Sequence, residues 1–130
     1  MFEQSKVEIK SEMIQGFQRI IFSGQLMYGE TEKVREEVFA ILVDCQGYIL
    51  DMRNINAIDS TGFGILVSIA KKLKHSQHRM VVIINNPAIM QLFTITKMPL
   101  IFPIVHTKEE AVELLSDDLN PRQQISIEDY

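Results

Sequence analysis

The run Met80-Val81-Val82-Ile83-Ile84 constrains the fold more than any other part of this sequence. Successive side chains of a strand point to opposite faces, so an unbroken apolar run leaves no face for water. It reads as a strand covered on both sides, the position of a central strand in a mainly parallel sheet. Helical patterns flank it. Ile65, Leu66, Ile69, Ala70 and Leu73 mark the buried face of a helix running to about Lys74. Lys71, Lys72 and Lys74 fill its last turn, where positive charge suits a helix C-terminus. On the other side Asn86 caps, and Pro87 opens, a helix to about Ile95.

The rest of the chain repeats this alternation. Val7 to Ile9 is a short alternating piece and a candidate strand, and Phe17 to Phe22 is a fuller one, entered through Gly16 and left through Ser23-Gly24. Thr31 caps a helix to about Val43, with Val34, Val38, Ile41 and Leu42 on one face and charged residues on the other. Tyr48 to Met52 is a strand. The segment Asn54-Ile55-Asn56-Ala57-Ile58 reads as a loop leading into Asp59-Ser60-Thr61-Gly62. Ile101 to Val105 is a last strand, and Pro103 within it argues for a sheet edge. Thr107 and Glu110 form a capping box ahead of a fourth helix bearing Ala111, Val112, Leu114 and Leu115. After Ser116 the chain turns polar and reads as a tail. The expected fold class is α/β: about four helices packed on a mostly parallel central sheet, with residues 1–115 as one domain and 116–130 as a polar C-terminal tail.

Composition excludes several kinds of function. The 130 residues suit one domain, and 46% are apolar, too many for intrinsic disorder. Thirteen Lys and Arg against 17 Asp and Glu give a net charge of −4, without the basic footprint of a nucleic-acid binder. The longest apolar stretch, Val38 to Val43, falls far short of the roughly 20 residues of a membrane span. No signal-peptide pattern opens the chain, and Cys45 stands alone, so a reducing, cytoplasmic setting is expected.

Catalytic and metal signatures are missing as well. His75, His78 and His106 are scattered, and Cys45 has no adjacent activating base. No GxGxxG, Walker loop or GxSxG occurs, and no cofactor is expected. A response-regulator receiver domain has a similar size and alternation, with Asp51 as acceptor and Lys97 as charged partner. That reading fails because Ser23-Gly24-Gln25 lacks the acidic pair needed to hold magnesium.

Asp59-Ser60-Thr61-Gly62 is where the local chemistry is unusual. Ser60 stands between a loop and an apolar-periodic helix, so its structural role would be that of an N-cap. A group at that position also projects from a helix mouth, where the dipole tolerates negative charge, so a phosphate on Ser60 would be compatible with the fold. Gly62 and Gly64 cost helix propensity in the first turn. Either they allow close packing on the sheet or they clear space for another protein to reach Ser60. Met27, Phe63 and Ile58 could supply apolar contact surface there, or serve as ordinary core.

The order FSGQLMYGET, YILDMRNINAIDSTGFGIL, MVVIINNPAIMQLF and PIVHTKEEAVELL resembles the STAS domain. More narrowly, it is similar to the single-domain anti-sigma factor antagonists of bacterial partner-switching pathways, over about Phe17 to Leu115. The most specific piece is Leu50-Asp51, a short connection, and Ile58-Asp59-Ser60-Thr61-Gly62-Phe63-Gly64 opening a helix. The resemblance implies that Ser60 is phosphorylated by an anti-sigma factor with a serine-kinase fold. The unphosphorylated form would bind that factor and free the sigma factor, and a cognate phosphatase would reset the switch. It further implies a non-enzymatic protein, a monomer or weak dimer, with Asp59, Ser60, Thr61, Gly62, Phe63, Met27 and Ile58 at the partner-binding site. One departure stands out. Where the family often reads Gly-Glu-Leu/Ile-Asp, this chain has Gly24-Gln25-Leu26-Met27. Loss of both acids keeps an alternative open: a non-phosphorylated scaffold or accessory STAS subunit of a larger signalling or transport assembly.

Overall fold

A computed structural model describes residues 7–29, 31–75, 79–96 and 102–118. In chain order the elements are β1 (Val7–Ile14), β2 (Phe17–Leu26), α1 (Thr31–Ile41), β3 (Tyr48–Ile58), α2 (Ser60–His75), β4 (Met80–Ile83), α3 (Pro87–Ile95), β5 (Ile104–Val105) and α4 (Lys108–Asp118). The five strands make one sheet in the order β1-β2-β3-β4-β5. β1 runs antiparallel to β2, and every other neighbour is parallel. The expected α/β class, with four helices on a mostly parallel sheet, is the observed one.

Handedness decides where the helices go. The parallel strands advance in one direction, so right-handed crossovers place α1, α2 and α3 on the same face. That face holds the larger core, with Ile20, Phe22, Leu50, Met52, Val82 and Ile84 beneath Val38, Leu66, Ile69 and Phe93. Among the described residues the opposite face is covered by α4, whose Ala111 and Leu115 pack on Phe17, Ile49, Val81 and Ile83. The apolar run of β4 is thus split between the two cores, as a strand covered on both sides must be. Beyond Phe17, the α4 face carries the Arg19–Glu12 ion pair across β2 and β1.

Several boundaries differ from the sequence expectation. β1 continues to Ile14, closing on β2 through Gln15-Gly16, whose φ values of 50° and 90° suit a two-residue hairpin turn. Residues 54–58, expected as a loop, are the second half of β3 and pair with β2 from Ser23↔Asn54 to Leu26↔Ile58. Asn54 and Asn56 face solvent while Ile55 and Ile58 are buried, so strand alternation overrides the turn preference of asparagine. β2 likewise runs through Ser23-Gly24, where Gly24 takes φ 106° and the register shifts. α1 stops at Ile41, and the Val43 N–H donates instead to Gln18 Oε1 at 3.0 Å. β5 is two residues long and lies at the edge; the preceding Pro103 carbonyl accepts from Val82 N–H at 3.0 Å. α4 continues to Asp118, past the expected start of the tail. His78, Lys97, Ile101 and residues 119–130 lie outside the described residues.

Candidate functional site

β2 and β3 end side by side, and α2 starts one residue after β3. This places Asp59-Ser60-Thr61-Gly62 at the carboxyl edge of a parallel sheet, where such folds carry their sites. The N-cap of α2 is Asp59, a correction to the expectation that Ser60 caps. Asp59 Oδ1 accepts from Gly62 N–H at 3.0 Å and from the Thr61 hydroxyl at 2.7 Å, and its carbonyl accepts from Phe63 N–H at 3.0 Å. These are the bonds of a cap. Asn86 does the same for α3, accepting from Ala88 and Ile89 N–H groups.

Asp59 has a second task. Its Oδ2 accepts from Tyr28 N–H at 2.9 Å, and its own N–H donates to the Leu26 carbonyl at 3.4 Å. The residues after β2 are thereby tied to the helix mouth. The Thr61 hydroxyl and the Tyr28 amide together hold the Asp59 carboxyl below the usual carboxylate range. It stays ionised wherever the protein is folded at neutral pH.

Ser60, relieved of capping, is the first helical residue and is exposed. Among the described residues its hydroxyl has no hydrogen-bond partner. The two glycines separate into different roles. A Cβ on Gly62 would stand 2.2 Å from the Leu26 carbonyl oxygen and 2.8 Å from Ile58 Cγ1, so glycine is demanded by packing. A Cβ on Gly64 would meet nothing within 4 Å. Packing therefore explains Gly62 and leaves Gly64 as bare, exposed backbone one turn from Ser60.

The apolar residues expected at the site also separate. Phe63 and Ile58 are 5% and 7% exposed and belong to the core, which corrects the idea that they offer contact surface. Phe63 sets its ring 4.8 Å from that of Phe93 in an edge-on contact, clamping the first turn of α2 to α3. Met27 is half-buried between two residues bonded to Asp59, and Gln25 is exposed. Tyr28, which the sequence reading did not single out, is 83% exposed. Its signal was present: an aromatic residue next to Gly29 in a connecting loop has no core to enter.

A second polar constellation was also missed. Asp51, considered from sequence only as an acceptor, is 2% exposed at the centre of β3. Its Oδ1 accepts from Arg53 N–H at 3.1 Å and Arg53 Nε at 2.9 Å. Its Oδ2 accepts from Arg53 at 2.7 Å and from Arg19 Nε and Nη2 at 3.0 and 2.8 Å. Arg19 also pairs with Glu12 on β1. Burial alone pushes the Asp51 carboxyl up, but the bonds from Arg53 and Arg19 outweigh it and hold it low. With both oxygens fully engaged, this carboxylate is a cross-strand tie and is unavailable as an acceptor.

The two remaining candidates among the described side chains, Cys45 and His106, are engaged with backbone carbonyls. The Cys45 thiol donates to the Gly47 carbonyl at 3.2 Å, and His106 Nδ1 lies 2.9 Å from the Ile84 carbonyl. Among the described residues no His, Cys, Asp and Glu cluster is arranged to hold a metal, and no helix is long and apolar enough to cross a membrane.

Residues 8–111 match the family model of the STAS domain. The chain belongs to the STAS domain family. Among solved structures, an anti-sigma factor antagonist from Mycobacterium paratuberculosis superposes with a TM-score of 0.78 at 19% identity, covering 90% of this chain and 100% of that one. Unphosphorylated SpoIIAA, an anti-sigma factor antagonist, gives 0.60 at 19% identity over 84% of this chain and 98% of its own. The STAS fold is also found within a larger molecule: the murine anion transporter Slc26a9 matches at a TM-score of 0.72 and 15% identity, over 82% of this chain and 18% of the transporter. At these identities the likeness is one of fold. No curated protein matches the sequence.

Proposed function

We propose that this STAS domain is an anti-sigma factor antagonist, a non-enzymatic protein-binding module controlled by phosphorylation of Ser60. The unmodified form binds an anti-sigma factor with a serine-kinase fold and releases the sigma factor; phosphorylation by that kinase ends the complex, and a phosphatase restores it. The observation that carries this reading is the state of Ser60: an exposed hydroxyl at a helix mouth, free of the capping task that Asp59 performs. The fold shared with two anti-sigma factor antagonists supports the class.

The chemistry of a switch follows from the same geometry. A phosphate on Ser60 adds about −1.5 to −2 charges at the N-terminus of a 16-residue helix, whose dipole tolerates it in water. The fold survives modification. In a complex the same dianion must lose its water beside the ionised Asp59, which repels it. A loss of roughly 3–4 kcal/mol weakens binding by two to three powers of ten. The docking face comprises Ser60, Thr61, the bare backbone at Gly64, and Met27 with its exposed neighbour Tyr28; Ile58, Gly62 and Phe63 hold that face from beneath.

The match to the transporter favours a second reading, an accessory STAS subunit without a phosphorylation cycle. On that reading Ser60 needs a structural purpose, and capping is no longer available as one. Incubating the protein with an anti-sigma kinase of the same organism and ATP, then mapping the product by mass spectrometry, separates the two. Phosphate on Ser60 supports the switch; no incorporation, or incorporation elsewhere, contradicts it.

A further inference from the structure

β1 is an edge strand of eight residues, and no described element pairs with its outer side. Edge strands of this length are usually blunted by charges that oppose like charges in any second strand. β1 carries Glu8, Lys10 and Glu12, and its pattern does not blunt every register. We infer that β1 pairs antiparallel with β1 of a second copy about a twofold axis through Ser11, extending the sheet across two chains.

Backbone geometry restricts the registers. The pair flanking a two-residue hairpin turn, Ile14 and Phe17, is the hydrogen-bonded kind, and the kinds alternate along the ladder. The N–H and C=O groups of Ile9, Ser11 and Met13 therefore point outward. A twofold axis must bring outward groups opposite outward groups, so it passes through a residue. Centred on Lys10, it sets Lys10 against Lys10 and Glu8 against Glu12. Centred on Glu12, it sets Glu12 against Glu12. Both registers place like charges directly opposite. Centred on Ser11, Lys10 of each copy faces Glu12 of the other, and Ile9 faces Met13. Shifts further out shorten the overlap.

Both sheet faces agree with that register. On the α4 face a row of alternating sign already crosses the strands: Asp51, Arg19 and Glu12, joined by ion pairs. The row ends at β1 on a carboxylate, and the next position outward would be taken by a lysine. Among the described residues Lys10 has no ion-pair partner of its own. On the other face Met13 is 54% exposed and would cover Ile9 of the second copy, which is packed at the rim of the larger core. Ser60 follows β3, two strands inward, and stays open in such a dimer. The symmetric interface is smaller than the roughly 1,200–2,000 Å² of a stable complex, so the dimer is weak and concentration-dependent.

Charge reversal in one position, then the other, tests the register. Lys10→Glu sets a carboxylate at position 10 of each copy against Glu12 of the other, and Glu12→Lys sets Lys10 of each copy against an ammonium at position 12 of the other. Sedimentation equilibrium up to several hundred micromolar, the range a small interface needs, should find wild type in monomer–dimer exchange and each variant shifted at least tenfold toward monomer. An equimolar mixture of the two variants should dimerise again, since every 10–12 contact then joins opposite charges. Rescue by the mixture also shows that both variants are folded. A wild type that stays monomeric, variants that dimerise like wild type, or a mixture without rescue would each overturn the inference.

Discussion

Two aspartates, eight residues apart on one strand and its exit, use the same chemistry for opposite ends. Asp51 is buried, accepts from two arginines and ties β2 to β3. Asp59 stands at the helix mouth, accepts from Thr61, Gly62 and Tyr28, and so leaves the neighbouring Ser60 hydroxyl unoccupied. Both carboxyls are held below the ordinary range. The first satisfies charge where water is excluded and gives stability. The second satisfies helix ends where water is present, and what it gives is an unoccupied neighbour. On the proposed function, the docking surface is built by assigning structural work to the adjacent residue.

The comparison breaks most visibly at Asp51. Asp51→Asn leaves two guanidinium groups sharing a neutral acceptor and should cost about 3 kcal/mol in denaturant unfolding. Partner affinity per folded molecule should be unchanged, because Asp51 is remote from Ser60 in the sheet. Gly62→Ala comes next: its methyl group would collide with the Leu26 carbonyl, and either strand or helix must move, for a loss of about 2 kcal/mol. A smaller melting-temperature change than that at Asp51, with a displaced α2, is the expected outcome.

Acid sharpens the same contrast. A carboxyl whose folded pKa is depressed contributes stability that is complete above its unfolded value, about 3.9 for Asp, and is lost as pH falls through the folded value. Unfolding free energy should therefore fall below about pH 4. In Asp51→Asn that acid limb should be shallower, which a urea series from pH 5 to pH 2.5 would measure.

How much of this the sequence carries depends on the range of the interaction. The run Met80 to Ile84 declares double-sided burial by itself, and the Thr107–Glu110 capping box forms with the Thr107 N–H and hydroxyl on Glu110 as its spacing implies. Asn54 to Ile58 mislead because asparagines look like turn residues until a second strand supplies their ladder. Asp51 sits in an apolar strand with Arg53 two residues on, but its other partner, Arg19, is 32 residues away. The capping assignment fails for a different reason. Asp59, Ser60 and Thr61 are three consecutive good caps, and only backbone geometry selects among them.

The smallest effects lie where the surface is open. Gly64→Ala adds a methyl group to empty space in a helix, and should raise stability by up to about 1 kcal/mol while weakening partner binding at the helix mouth. Ser60→Ala should change unfolding free energy by less than about 0.5 kcal/mol, since no bond is lost. A larger loss would mean that the hydroxyl has structural work after all.

The most direct test compares wild-type and Ser60→Asp baits in affinity capture from the source organism's lysate, with quantitative mass spectrometry. The expected result is a serine-kinase-fold anti-sigma factor enriched by wild type and lost, at least tenfold, with Ser60→Asp. The same partners at equal yield on both baits would contradict the phosphorylation switch and leave Ser60 a bystander on an accessory domain.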